Sequence, residues 1–415
     1  MSEILLENAR VFDGVDIVGE GLSVLVSGDR ITEVSDRPIV APGARRIDVR
    51  GRTLMPGLID LHVHAYASHV SPAKIDRADA PYRTAHAIRM LGHALDCGFT
   101  TVRDIGGGDW SLSRAIQDRL IRAPRFFYAG KMMSMTGGHG DMREMGESEH
   151  ISGYCRCESM NALCVIADGV DECVKVVREE LRRGAHCIKI MASGGVASPT
   201  DPIWMNQFRE DEIRSIVGEC TERRTYVSAH CHPASAIRRC VEFGVRCIEH
   251  GTLMDAETAE YVAGKGAYVV PTLATLFALK EAGAQFGLPP ASREKVDVVF
   301  EQTLLGLEHM RRAGIKLGFG TDLLGETYVQ QCREFTLRSE VFSSLEILRQ
   351  ATSISAEILV KQDELGCVRA GAYADLIVVN GDPLADLSLL SADGAQVPLV
   401  VRDGEIVKNR LEQAA

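Results

Sequence analysis

In PGLIDLHVHAY (56–66), His62 and His64 stand one residue apart at the end of an apolar run. On a β-strand alternate side chains share a face, so both imidazoles would point the same way and could grip one cation at little ordering cost. Further along stand His230 and His232 in SAHCHPAS, His250 in RCIEHG and Asp322 in GFGTD, residue types that ligate divalent metals. Lys189, in CIKIMASGG, is different in kind. An ammonium among metal ligands would be repelled and desolvated, so a lysine there should be neutral, and a neutral amine can take up carbon dioxide as a metal-bridging carbamate. The competing reading is a lysine that reaches outward or pairs with an acid.

These residues need rigid elements to bring them together. Strand-like runs are predicted at 58–64, 99–106, 125–131, 187–195, 225–230, 246–251, 267–272 and 315–322. Amphipathic helical stretches such as EDEIRSIVGECTERR and DAETAEYVAGKG separate them. Eight strands alternating with helices over about 300 residues predict an α/β fold, a (β/α)8 TIM barrel, with its chemistry at the C-terminal strand ends. His62 with His64, Lys189, His230, His250 and Asp322 fall at five of those ends. A hydrogen-bonded core histidine would explain any one position, but not the set.

Both termini read differently. Residues 1–55 and 366–415 hold short β-type runs broken by turn residues, as in LSVLVSGDRITEVS and GCVRAGAYADLIVVNGDPL. They predict one small composite β-sandwich domain around a barrel spanning 56–365.

Bulk properties narrow the function. Of 415 residues, 46% are hydrophobic and 25% charged, an ordinary globular profile, and the formal net charge of −11 with no dense basic block argues against nucleic acid or an anionic membrane as partner. The expected partner is a small-molecule substrate, with a homo-oligomer as the expected assembly. The N-terminus resembles no signal peptide and no stretch is long and apolar enough to span a membrane, so a cytoplasmic location is expected. The twelve cysteines are scattered like buried hydrophobes in a reducing compartment, and YCRCES (154–159) lacks zinc-knuckle spacing. There is no G-x-S-x-G elbow, and the GGG at 106–108 lacks the lysine of a phosphate loop.

PGLIDLHVH, a barrel lysine, the later histidines and GFGTD together resemble the metal-dependent amidohydrolase superfamily over nearly the whole chain. TGGHGD, IKIMASGGVASPTDP and GFGTDLLGE resemble its imidazolonepropionase-like branch, especially the Xaa-Pro and Xaa-Arg(Lys) dipeptidases, prolidase-like enzymes. The resemblance implies two Zn2+ per chain, other divalent ions being possible. It implies that His62, His64 and Asp322 hold the more buried ion and His230 and His250 the more exposed one, with a carbon dioxide-derived carbamate on Lys189 bridging them. It places His139 over the substrate, where it could polarise the scissile carbonyl. His232 is left between contacting that carbonyl and a structural role.

The chemistry implied is amide hydrolysis by a hydroxide bridging the metals, with Asp322 as the proton carrier. For the substrate, Arg143 and Arg156 are candidates to fork a carboxylate, surface charge being the competing reading. Trp204, Met205 and Phe208 could line an apolar pocket or simply pack. The expected substrates are Xaa-Pro or Xaa-hydrophobic dipeptides or N-acyl amino acids. Alternatives are an Xaa-Arg/Lys carboxypeptidase, a hydrolase of a cyclic amide, aryl amide or carbamate, and a catalytically silent scaffold.

Overall fold

The computed structural model describes residues 3–143, 162–198 and 200–411. The chain opens with β1 (Glu3–Phe12), β2 (Ile17–Ser27), β3 (Arg30–Ser35), β4 (Arg45–Asp48) and β5 (Thr53–Pro56). In β2 the buried Leu22, Val24 and Val26 alternate with Ser23, Leu25 and Ser27, the period-two pattern of a sheet covered on one face.

After Gly57 the chain passes directly into β6 (Leu58–Val63), every residue of which is buried. Then come β7 (Phe99–Asp104), β8 (Arg125–Tyr128), β9 (Met132–Ser134), β10 (Cys164–Ile166), β11 (Ile188–Met191), β12 (Val227–Pro233), β13 (Cys247–Leu253) and β14 (Tyr268–Val270). Strands β6, β7 and β8 pair in parallel, as do β11, β12, β13 and β14. His186 N donates to Tyr128 O (2.8 Å), joining the two runs beside β11. Residues 315–322 have one bridge, Leu317 with Val269. Hydrogen bonds from Gly318 N to Val269 O (2.9 Å) and from Leu61 N to Phe319 O (2.8 Å) tie that segment to β14 and β6. Helices between the strands, among them Glu210–Glu222 and Ala256–Gly264, lie where the amphipathic patterns put them. The fold is of the TIM-barrel type.

The run expected as one strand over 125–131 is divided. Gly130 sits at φ +74°, where a Cβ would come 2.0 Å from the Glu180 carboxylate, so the chain turns there and resumes as β9. Strand β9 pairs with β10 and touches β11.

The C-terminal strands β15 (Leu376–Val379), β16 (Leu399–Arg402) and β17 (Glu405–Asn409) return to the N-terminal ones. They form an eight-stranded sheet in the order β17-β16-β15-β5-β1-β2-β3, with β4 on β1. This sheet has an apolar cluster of its own, including Leu6, Val24, Leu54, Leu376 and Val401.

One buried cation ties together the segment that carries Asp322. Arg338 is fully buried and donates to Glu334 Oε1 (2.7 Å), Gly318 O (2.9 Å), Gln350 Oε1 (2.6 Å) and Pro271 O (2.7 Å). Truncating it strands the Glu334 carboxylate and three other acceptors. Arg338→Met should therefore cost about 3–5 kcal/mol of stability, read as a lowered midpoint in urea unfolding.

Candidate metal centre and substrate cavity

The site begins with β6. His62 Nε2 lies 3.3 Å and His64 Nε2 3.2 Å from Asp322 Oδ1, and the ligand atoms of the three residues fall within 4.8 Å of one another. The remaining ring nitrogens are already engaged: His62 Nδ1 is 2.7 Å from Glu249 Oε2, and His64 Nδ1 is 2.9 Å from Gly106 O. Each ring therefore turns Nε2 inward. Asp104, fully buried, accepts from Ala65 N (2.7 Å), Gly106 N (3.0 Å) and Gly108 N (2.9 Å), fixing the loop whose carbonyl holds His64.

His250 adjoins His62 with ring centroids 4.9 Å apart, and His230 adjoins His250 at 4.7 Å. His250 Nδ1 meets Thr272 Oγ1 at 2.7 Å and His230 Nε2 meets Gly194 O at 3.4 Å, and among the described residues the other nitrogen of each has no hydrogen-bond partner. Lys189 is buried in the same cavity wall. Burial pushes its ammonium down in pKa although Glu249 and Asp322 act the other way. Burial, then the neighbouring histidines, likewise holds His230 well below the usual imidazole range. Burial works to raise Asp322, but His62, His64 and His250 hold its carboxyl well below the usual range. His250 and Asp322 both have positive φ, +69° and +55°, backbone that costs about 1–3 kcal/mol in a side-chain-bearing residue and tends to persist at functional sites.

Imidazoles with aimed nitrogens, a carboxyl held well below its usual range and a lysine whose charge is disfavoured make a donor set that fits divalent metal ions. Around it the cavity turns apolar, with Val70, Ile75, Met132, Leu163, Leu276 and Leu279 in its wall. Among the described residues, Asp76 is the one charged lining side chain besides Lys189 and Asp322.

His139 and His232 also line the cavity. His139 stacks on His230 at 4.4 Å. His232 Nδ1 is 2.6 Å from Thr252 Oγ1, and burial takes its pKa down to about 3. The structure does not bring Arg143 or Trp204 to the cavity wall: Arg143 is engaged by Asp141 (Nε to Oδ1, 2.7 Å) and Trp204 is 75% exposed. Phe208 packs in the barrel core, and Arg156 with the YCRCES cysteines lies outside the described residues. The ten described cysteines are free thiols.

Sequence reasoning missed Glu249. It is fully buried and accepts from Arg103 Nη2 (2.5 Å) and Ser228 Oγ as well as meeting His62. Burial would raise its carboxyl, but Arg103 and His62 outweigh it and hold it well below the usual range. The signal was present as an acid inside the apolar run RCIEHG, since a carboxylate in such a strand needs a partner.

The amidohydrolase family profile matches residues 53–407. The chain belongs to the amidohydrolase family. It is 31% identical to the ochratoxinase of Aspergillus niger over 370 residues, 86% of this chain and 75% of that protein. A prolidase crystallised with N-methylphosphonate-L-proline superimposes with a TM-score of 0.95 at 45% identity, over 98% of this chain and 100% of that one. A Xaa-Pro dipeptidase with methionine in its active site gives a TM-score of 0.86 at 29% identity, over 98% and 100%. This amidohydrolase is thus a hydrolase of amide C–N bonds, with prolidase-like structural neighbours. Among the described residues no helix is long and apolar enough to cross a membrane.

Glu249 braces the far side of the His62 ring, and removing such a brace from a metal-binding imidazole typically weakens metal affinity about 10–100-fold. Glu249→Gln should show that loss on competition with a chelator, with zinc content measured after dialysis.

Proposed function

We propose that this amidohydrolase cleaves the amide bond of dipeptides ending in proline or another apolar residue, with N-acyl amino acids as further substrates. The observation that carries the reading is that six side chains of metal-ligating type, His62, His64, Lys189, His230, His250 and Asp322, line one cavity whose wall is mostly apolar. A structural neighbour that is a prolidase, 45% identical over nearly the whole chain, supports it.

In this reading His62, His64 and Asp322 would hold one Zn2+ and His230 and His250 a second, with a carbamate on Lys189 completing the donor set. Bound there, the ions supply Lewis acidity and lower the pKa of water from ~15.7 towards ~7, so that water becomes a nucleophile at neutral pH. The rest falls to the chain. The apolar wall takes the side chain of the C-terminal residue and excludes bulk water from the scissile bond. His139 faces the carbonyl oxygen as charge develops on it, with His232 beside it. Asp322 takes the proton from the attacking water at its carboxylate and passes it to the leaving nitrogen, so that the C–N bond breaks to an amine and a carboxylate. The composite sheet of the two termini, residues 1–55 and 366–415, acts as the family's small β-sandwich around the barrel of 56–365.

A second reading, hydrolysis of an aryl amide, is favoured by the aliphatic wall. A panel of dipeptides varied at the C-terminal residue, with N-acyl amino acids and aryl amides alongside, separates the two. The expected ranking puts Xaa-Pro and Xaa-hydrophobic dipeptides first, and activity confined to aryl amides would replace the first reading with the second. Asp322→Asn should keep most of the metal, by elemental analysis, while kcat falls by about 10²–10⁴-fold, the range for a general acid–base group. Near-normal turnover would remove Asp322 from proton transfer.

A further inference from the structure

Outside the metal ligands, one lysine reaches into the site's architecture from a distant helix. Lys295, on the helix Pro290–Arg312, donates from Nζ to Gly195 O (3.1 Å), Ser198 O (2.9 Å) and Asp201 O (2.6 Å), and lies 3.5 Å from Asp201 Oδ1. An ammonium has three protons, and three carbonyls take them all. Lys295 is therefore spent on the loop after β11 and has no proton left for a substrate.

What that loop holds is His139. Asp201 is fully buried, and its Oδ2 accepts from Gly195 N (2.8 Å) and pairs with His139 Nδ1 (2.9 Å). Ser198 Oγ, accepting from Gly140 N (2.8 Å), stands 2.9 Å from the same Nδ1, and Gln207 Oε1 accepts from His139 N (2.9 Å). The ring lies flat on Gly195, where a Cβ would come within 2.4–2.7 Å of three ring atoms. Nδ1 is thus committed to the loop, and among the described residues Nε2 has no hydrogen-bond partner, on a ring that lines the cavity. Two charged groups, a hydroxyl, an amide and a glycine converge on the orientation of one imidazole.

We propose that Asp201 and Lys295 are positioning residues: Asp201 holds His139 with Nε2 presented to the substrate's carbonyl oxygen, and Lys295 holds Asp201. This rests on the reading that His139 faces that carbonyl. Neither residue touches substrate, so the effect must pass through His139, which separates it from mere support of the loop.

The zinc-loaded full chain is assayed on an Xaa-Pro dipeptide as Asp201→Ala, Asp201→Asn, Lys295→Met and Lys295→Arg, each alone and in the His139→Ala background. Binding of N-methylphosphonyl-L-proline is measured in parallel. Asp201→Ala should lower kcat about 10²-fold, the size expected from misplacing a catalytic group. KM should stay within about threefold, the pattern of an interaction made only in the transition state. Asp201→Asn, which keeps an oxygen for Nδ1–H, should lose less, and it carries the test if the alanine variant does not fold. Lys295→Met should follow Asp201→Ala, and Lys295→Arg should restore most of the rate. Affinity for the phosphonate should fall with kcat, as it does for an analogue of the transition state. In the His139→Ala background Asp201→Ala should have almost no further effect, because the two act as a unit. Additive losses there, or near-native turnover of Asp201→Ala beside an inactive His139→Ala, would overturn the inference and leave the role of His139 standing. Near-native turnover of His139→Ala would instead overturn that role, and the inference with it.

Discussion

A carboxylate with no access to water has to be matched, and in this protein the matching of Glu249 organises the barrel interior beneath the site. Its two oxygens are shared among Arg103, Ser228 and His62. Arg103, itself fully buried, continues to Leu61 O (2.7 Å) and Tyr226 Oη (3.1 Å), so four strands meet at one pair of charges. A buried pair of this kind is weak evidence for stability, because desolvation offsets much of the attraction. Its consequence here is orientation. With Nδ1 of His62 taken, only Nε2 is left to face Asp322, and the direction of the ring is settled before any ion binds.

The same device recurs at four more histidines of the cluster. Gly106 O settles His64, Thr272 His250, Thr252 His232 and Asp201 His139. Each partner comes from a different strand end or loop, so the cluster is held in place by the barrel as a whole. Left-handed backbone at His250 and Asp322 shows the cost of aiming side chains where a regular strand would not, and such strain survives only where the surroundings over-determine it.

Against this polar floor stands an aliphatic wall. A low-dielectric lining strengthens the electrostatics of the centre it encloses and gains energy from apolar substrate surface. Among the described residues its charged side chains are Asp76, Lys189 and Asp322, and Arg143 pairs with Asp141.

The sequence by itself determined the residue types available to the site and where most of the strands run, because alternation and apolar runs are local, although the run at 125–131 is divided and 315–322 keeps a single bridge. It also showed that both termini are β-rich, though not the order in which their strands join. Only the tertiary structure decided the partners. Glu249 is 187 residues from His62, Asp201 is 62 from His139, and Lys295 is 94 from Asp201. No local periodicity carries information over such separations. The same holds for Arg143 and Trp204, whose residue types suit a substrate but whose directions are set by a neighbouring acid and by loop geometry. Residue chemistry is written along the chain, whereas the orientation of a side chain is fixed by whatever the fold brings beside it.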